Sequence, residues 1–280
     1  MKATIMFHQG WADLFSNNGI INYYSNIYDE LFVFVLDIKR YNLLKNVLNY
    51  NKNIKIIIPK YNYEYNCVDT CVLCHTYGNN IKCSKENNFC YNNNNIKCKY
   101  IDYSDYSDYT NIKIGAFNNY NNWEMFRSEK YSKNISFSHC FYLYNNINID
   151  NRINNFKIYR DYEIENNNYI NLINEIGDKY IVIHEDIERN IIINKDYIEN
   201  KDLSLYNLDK KSNNMVDQIK ILENSQEIHL IDSNYSVLIY FLSFTNNILK
   251  SKKIFLHTYM REGRDILIYK NPSPNNWIFL

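Results

Sequence analysis

Three polar clusters in the C-terminal half each follow a short apolar run. They are His184-Glu185 with Arg189, Asp232-Ser233 with Ser236, and His257 with Tyr259 and Arg261. Guanidinium groups match phosphate oxygens, and unpaired N–H groups at the start of a helix favour an anion. Ser236 is expected to begin such a helix, so the clusters indicate a diphosphate site. The alternative is that each cluster only caps a helix or forms a turn.

A further polar cluster follows the first apolar run of the chain. His8-Gln-Gly-Trp-Ala-Asp13 comes directly after Ala3–Phe7, which reads as a strand. Gly10 can take backbone angles that a side chain would forbid. Because open α/β sheets bind ligands at the carboxyl ends of their strands, His8, Gly10 and Asp13 lie where an active site is expected.

Cysteines are concentrated in one stretch, residues 61–109, which carries six of the seven. Their short spacing predicts a structural zinc site, since Cys and His ligands suit tetrahedral zinc. The ligand candidates are Cys67, Cys71, Cys74 and Cys83, with His75, Cys90 and Cys98 also within reach. The alternatives are an iron–sulfur cluster on the CxxxCxxC spacing, and free or paired thiols without metal. Cys140 stands apart and is expected in the core.

Alternating strands and helices must position these residues in the N-terminal half. Leu31–Leu36 and Ile54–Pro59 follow Ala3–Phe7 as apolar strands, with helical patterns between them at residues 20–28 and 41–50. An apolar run without alternation is typical of a parallel strand covered on both faces. The order βαβαβ predicts half of a doubly wound sheet. Ile112–Gly115 is expected to return the chain to it after a loop-like insertion at about 61–109.

The alternation begins again near residue 155. Helices are predicted at Glu163–Ile176, ended by Gly177, at Asn214–Leu222 and at Ser236–Phe244. Strands are predicted at Lys179–His184, Glu227–Asp232 and Lys253–His257, and Ile266–Tyr269 and Trp277–Phe279 close the chain. The fold class is therefore α/β, with two Rossmann-like domains at 1–155 and 156–280.

Composition excludes some functions for this chain of 280 residues. Lys and Arg balance Asp and Glu at 31 each, so the chain lacks the basic excess of a nucleic-acid binder. No apolar segment reaches the length that spans a bilayer, and the N-terminus has no charged-then-apolar signal sequence. A cytoplasmic protein with reduced cysteines is expected.

The loop His8-Gln-Gly-Trp-Ala-Asp13 resembles the His/Gly/Asp loop of GT-B-fold glycosyltransferases such as heptosyltransferases and fucosyltransferase-like proteins. The segments 154–161, 180–186 and 227–236 resemble elements of the donor half of such enzymes. The resemblance covers most of the chain outside residues 61–109. It departs at Gln9 and Trp11, where a second glycine is often seen, and in the small size of both halves.

The resemblance implies a glycan or glycoprotein acceptor on the first domain and a nucleotide-sugar donor on the second. Asp13 falls where such enzymes place the catalytic base, with His8 as the alternate, and Gly10 and Trp11 would shape the acceptor loop. The donor side would use a set of polar residues at strand ends: His184, Arg189, Ser233, Ser236, His257 and Arg261.

The expected activity is that of an inverting glycosyltransferase which needs no metal or other cofactor for catalysis, because a helix start and arginines could neutralise the diphosphate. One alternative is a non-catalytic binding or scaffold protein with a zinc-stapled arm. Another is transfer of a different group, such as pyruvate, onto a glycan.

Overall fold

The chain divides into two compact units, Met1–Asn155 and Phe156–Leu280. The computed structural model describes residues 1–7, 10–58, 61–64, 82–84, 89–91, 98–101, 104–114, 136–208, 214–260, 266–270 and 272–280. Each unit carries a parallel sheet with helices, so the α/β class predicted from the sequence is confirmed.

The first unit is built on a four-stranded parallel sheet. Its strands are β1 (Lys2–Met6), β2 (Glu30–Phe34), β3 (Ile54–Ile57) and β8 (Thr110–Lys113), in the order β3-β2-β1-β8. The first two are buried over four of their five residues, as a strand covered on both faces requires. Ile112 pairs with Ile5, so the predicted return of the chain to this sheet is confirmed.

The described α-helices of this unit are α1 (Trp11–Ser16), α2 (Asn18–Ser25), α3 (Ile38–Leu48), α4 (Phe137–Tyr144) and α5 (Asn151–Asn154). The helix predicted at residues 20–28 is confirmed as α2, which begins two residues earlier and ends three residues earlier. The helix α1, which meets α2 at Asn17, was not predicted. The side chain of Asp37 caps α3 by accepting the backbone N–H of Arg40.

Short strands occur in the cysteine-rich stretch as well. They are β4 (Tyr61–Glu64), β5 (Lys82–Ser84), β6 (Phe89–Tyr91) and β7 (Cys98–Ile101). The pairs β4–β7 and β5–β6 are antiparallel. This stretch was interpreted as loop-like, whereas these four segments of it pair as strands. At its end, Tyr106 and Tyr109 pack their rings against Phe32 on the sheet.

The second unit has a five-stranded parallel sheet. Its strands are β9 (Tyr180–His184), β10 (Ser204–Asn207), β11 (Ile228–Ile231), β12 (Ile254–His257) and β13 (Trp277–Phe279), in the order β10-β9-β11-β12-β13. The predicted strands at 179–184, 227–232 and 253–257 are confirmed within one or two residues. The strand β10 was not predicted.

Among the described residues of this unit, three α-helices accompany the sheet: α6 (Tyr162–Ile176), α7 (Ile219–Asn224) and α8 (Asn234–Thr245). Asp161 caps the start of α6, and Gly177 ends it with a φ of 89°, a conformation that only glycine adopts cheaply. The predicted helix at 214–222 is a 3₁₀ turn, Met215–Gln218, followed by α7. Among the described helices, none combines the length and the apolar character that crossing a membrane requires.

Candidate functional site

The strand orders define where each unit is expected to bind a ligand. In an open parallel sheet, ligands bind beyond the carboxyl ends of two neighbouring strands whose connections leave in opposite directions. In the order β10-β9-β11-β12-β13 that reversal lies between β9 and β11, and in the order β3-β2-β1-β8 it lies between β1 and β8.

At the reversal of the second unit, His184 and Ser233 are in contact. His184 ends β9, Ser233 follows β11, and the Oγ of Ser233 lies 3.1 Å from Nδ1 of His184. The imidazole is 4 % exposed and lies 4.8 Å, between ring centroids, from the ring of Tyr235 on α8. Two side chains predicted for the donor site therefore meet where the topology predicts a ligand.

Ser233 is also the N-cap residue of α8. Its Oγ accepts the backbone N–H of Ser236 at 3.4 Å, while its own N–H donates to the Oγ of Ser236 at 2.7 Å. The sequence placed the helix start at Ser236, two residues after its actual first residue, Asn234. The start of α8 therefore lies at the same edge as His184.

Ser236 has a positioning role. It is fully buried, and its hydroxyl contacts the backbone carbonyl of Ser233 at 2.7 Å and the hydroxyl of Tyr269 at 2.8 Å. Tyr269 in turn donates to the carboxylate of Asp232 at 2.6 Å. These contacts fix the turn between β11 and α8. The buried hydroxyl of Ser236 therefore holds Ser233 in position and does not itself face solvent.

Of the two arginines predicted for the diphosphate, the structure describes only Arg189, and it contacts a carboxylate. Arg189 has a side chain that is 67 % exposed, and its Nε lies 3.3 Å from the carboxylate of Asp186. Asp186 also accepts the backbone N–H of Arg189, which closes a short 3₁₀ turn. Arg261 lies outside the described residues. Arg189 therefore forms a surface ion pair within a turn, as the alternative reading of its cluster predicts.

His257 lies on the opposite face of the sheet from His184. His184 pairs with Leu230, and Leu230 pairs with Leu256, so these three side chains share a face. His257 follows Leu256 and therefore points the other way, where its Nε2 lies 3.1 Å from Nδ1 of His229. The structure separates two histidines that the sequence had assigned to one site.

In the first unit, Asp13 lies just after β1, on α1. Its carboxylate accepts the backbone N–H of Gly10 at 3.0 Å, which ties the loop to the first turn of the helix. Trp11 is the first residue of that helix. His8 lies outside the described residues.

The reason for a glycine at position 10 differs from the expected one. Gly10 has φ −62° and ψ 153°, which any residue adopts, so the expectation of a special backbone angle was wrong. A Cβ at Gly10 would instead lie 2.5 Å from Oδ2 of Asp13. The absence of a side chain at Gly10 therefore leaves room for the carboxylate of Asp13.

A cavity of about 320 Å³, lined by both polar and apolar side chains, lies beside the reversal in the second unit. It is lined at the carboxyl ends of β9 and β10 by Glu185 and Asn207, and from the facing segment by Lys195. Glu185 is 6 % exposed, and its carboxylate accepts the backbone N–H of Ile193 at 3.2 Å. Sequence reasoning missed Asn207 because β10 carries no clear strand pattern.

The zinc prediction falls mostly outside the described residues. Cys67, Cys71 and Cys74 are not among them, and Cys83 lies on β5 in register with Cys90 of β6. Within the described residues, no group of three His, Cys, Asp or Glu side chains could hold a metal ion.

Comparisons with protein-family models, with curated proteins and with solved structures found no match. The activity of the chain must then be inferred from its own residues. Two places carry that inference, the loop of Asp13 at the β1–β8 reversal and the His184–Ser233 contact at the β9–β11 reversal.

Proposed function

We propose that this protein is a glycosyltransferase that takes a sugar from a nucleotide-sugar donor and passes it to a hydroxyl of a glycan acceptor. The second unit holds the donor, with its diphosphate over the start of α8. The first unit supplies the base, Asp13, which removes the proton of the acceptor hydroxyl.

The observation that carries the proposal is the contact of His184 with Ser233 at 3.1 Å, at the β9–β11 reversal. A leaving nucleoside diphosphate needs groups that stabilise its negative charge. The start of a helix contributes about 0.3–1 kcal/mol toward an anion at an exposed site, and up to about 2 kcal/mol when partly buried. That is too little for useful affinity, so the hydroxyl and the imidazole must add hydrogen bonds of their own.

The cavity beside this edge suits the nucleoside part of the donor. Carboxylates at strand ends commonly hydrogen-bond ribose hydroxyls, and Glu185 presents a buried carboxylate there. The side-chain amide of Asn207 lies 3.5 Å from the carboxylate of Glu185, so the two side chains present one polar surface to the nucleoside. The volume of about 320 Å³ lies within the usual size of a small-molecule site.

Asp13 is suited to act as the base because its carboxylate is held in place in the first turn of the helix that follows β1. The N–H of Gly10 fixes one of its oxygens at 3.0 Å. An ionised carboxylate has two oxygens and about four lone-pair sites, so it can accept the proton of an acceptor hydroxyl as well as the N–H of Gly10. General-base assistance of this kind is typically worth about 10²–10⁴-fold in rate.

Calorimetric titration of Ser233→Gly with a nucleoside diphosphate and with the free nucleoside tests the donor site. Replacing an N-cap serine by glycine lowers the free energy of unfolding by only about a few tenths of a kcal/mol, so the change removes the hydroxyl and leaves the protein folded. Hydrogen bonds to charged groups contribute about 1.5–3 kcal/mol, so diphosphate binding should weaken about 10–100-fold. Binding of the nucleoside should be unchanged.

Ser251→Gly is the matched control, because Ser251 is an exposed serine of the same unit whose hydroxyl donates only to the carbonyl of Ile248. It should leave both titrations unchanged. Equal losses for the diphosphate and the nucleoside in Ser233→Gly would contradict the placement of the phosphates. A wild-type protein that binds no nucleoside diphosphate would contradict the function itself.

A further inference from the structure

A chain of buried polar side chains crosses the second sheet on the face opposite His184. It consists of Glu227, His229, His257 and Tyr259, and we call it the Glu227–Tyr259 relay. Glu227 Oε2 lies 3.0 Å from His229 Nε2, His229 Nδ1 lies 3.1 Å from His257 Nε2, and His257 Nδ1 lies 2.8 Å from the Tyr259 hydroxyl. Glu227, His229 and His257 are each at most 2 % exposed, whereas Tyr259 is 43 % exposed. The relay thus joins a buried carboxylate to a phenol at the surface.

The relay has one consistent direction. Glu227 already accepts the backbone N–H groups of Glu199 and Asn200, both at 3.2 Å, so it is held as an acceptor. His229 must then carry its proton on Nε2 and accept at Nδ1 from His257. With its proton on Nε2, His257 has a bare Nδ1, which accepts the hydroxyl proton of Tyr259. The phenol therefore donates into the protein.

The charge states fit this arrangement. Burial lowers the pKa of His257 to about 4, and burial also lowers the pKa of His229, although Glu227 opposes that change. Burial raises the pKa of Glu227, but hydrogen bonds from His229, Asn200 and the backbone of Glu199 more than offset this and leave it lowered. At neutral pH the carboxylate is ionised and both imidazoles are neutral, so both can pass a proton.

The outer end of the relay is fixed and open to solvent. The oxygen of Tyr259 accepts the backbone N–H of Asn194 at 3.0 Å. The ring of Tyr197, which is 45 % exposed, lies 5.9 Å from the ring of Tyr259. His229 is held in turn by stacking on Phe255, with 4.4 Å between ring centroids. The relay is therefore ordered from its buried end to its surface end.

We propose that Tyr259 is a reactive nucleophilic site, whose phenol is activated by the relay toward an electrophilic acyl, phosphoryl or sulfonyl centre. As the phenolic oxygen forms its bond to that centre, the bond to the leaving group breaks. The phenolic proton moves to Nδ1 of His257, the Nε2 proton of His257 moves to Nδ1 of His229, and the leaving group departs with its electron pair. The resulting imidazolium of His229 lies against the carboxylate of Glu227. His257 accepts the phenolic proton directly, whereas His229 and Glu227 act through His257 and are positioning residues.

Labelling with phenylsulfonyl fluoride tests this site in the full chain without any nucleotide. The phenol forms an S–O bond, the S–F bond breaks, and fluoride leaves. Peptide mapping by mass spectrometry gives the rate at each tyrosine, and Tyr197 serves as an internal control because its exposure is nearly the same. General-base assistance predicts that Tyr259 reacts about 10²-fold faster than Tyr197. Similar rates at the two tyrosines in the wild-type protein would overturn the proposal without any variant.

Two variants test whether the relay is the cause. His257→Phe removes the acceptor of the phenolic proton, and Glu227→Gln removes the buried charge at the far end. Each should lower the rate at Tyr259 to that of Tyr197, while Tyr197→Phe should leave the rate at Tyr259 unchanged. A rate at Tyr259 that stays high in a folded Glu227→Gln protein would show that the relay does not activate the phenol. Nucleotide binding plays no part in this readout, so its outcome is separate from that of the proposed function.

Discussion

Gly10→Ala should impair catalysis far more than stability, because the new methyl group meets the carboxylate of Asp13. The Cβ would lie 2.5 Å from Oδ2, whereas ordinary contacts begin near 3.4 Å, so the carboxylate must retreat by about 0.9 Å. A displacement of about 1 Å at a catalytic group can cost about 10²-fold in rate. We therefore expect turnover of the nucleotide sugar to fall about 100-fold.

The effect on stability should be small. Alanine accepts the backbone angles of Gly10, φ −62° and ψ 153°, and restricts the unfolded chain, which is worth about 0.4–1 kcal/mol. The hydrogen bond from the N–H of Gly10 to Asp13 is lost or lengthened, which costs about 0.5–1.5 kcal/mol. The two effects nearly cancel, and the free energy of unfolding should change by less than about 1 kcal/mol.

Gly177→Ala is the matched control with the opposite profile. A Cβ at Gly177 has nothing within 4 Å, but φ is 89°, where an L residue is strained. Alanine should therefore cost about 1–2 kcal/mol of stability and leave turnover unchanged. Release of nucleoside diphosphate gives turnover, and urea denaturation gives the free energy of unfolding.

The Gly10 variant can refute the reasoning in a simple way. Unchanged turnover in a folded Gly10→Ala protein would exclude Asp13 from the role of base. The same loss of turnover in Gly177→Ala would show that activity follows stability rather than the position of the carboxylate.

Two further predictions concern the second unit. Arg160 holds the fully buried Glu165 through two hydrogen bonds, so Arg160→Met should cost about 3–5 kcal/mol in urea denaturation. Adding Glu165→Gln should recover part of that loss, and strictly additive losses would argue against the buried pair. The pKa of His257 is lowered to about 4 in the folded state, so the unfolded chain binds more protons between about pH 6.5 and pH 4. Stability should therefore fall by up to about 3 kcal/mol as pH drops through that window, and a wild-type curve parallel to that of His257→Asn would contradict this.

The sequence predicts elements whose local signals are strong. Gly177 marks the end of α6 because a positive φ is needed there. Apolar runs mark β1, β2, β9, β11 and β12. The strand β10 was missed because Ser204–Asn207 is short, polar at both ends and lies at an edge, so its sequence alternates little.

Contacts between strands were beyond sequence reasoning. His229 and His257 are 28 positions apart, and only the register that pairs Ile231 with His257 brings their rings within hydrogen-bond distance. The same register places the side chain of His257 on the face of the sheet opposite His184. The glycine at position 10 was recognised, but its contact with Asp13 was missed, although the two residues have the local N-cap and N3 spacing at which an acidic side chain reaches back to the N-cap N–H.

The central claim is that a nucleoside diphosphate binds at the β9–β11 reversal, and photocrosslinking tests it most directly. A photoreactive nucleoside diphosphate would be irradiated with the wild-type protein, and labelled peptides would be mapped by mass spectrometry. Saturable labelling should fall on peptides that contain His184 or Ser233, and excess unlabelled diphosphate should abolish it. Labelling confined to Met1–Asn155, or labelling that excess diphosphate does not reduce, would contradict the account.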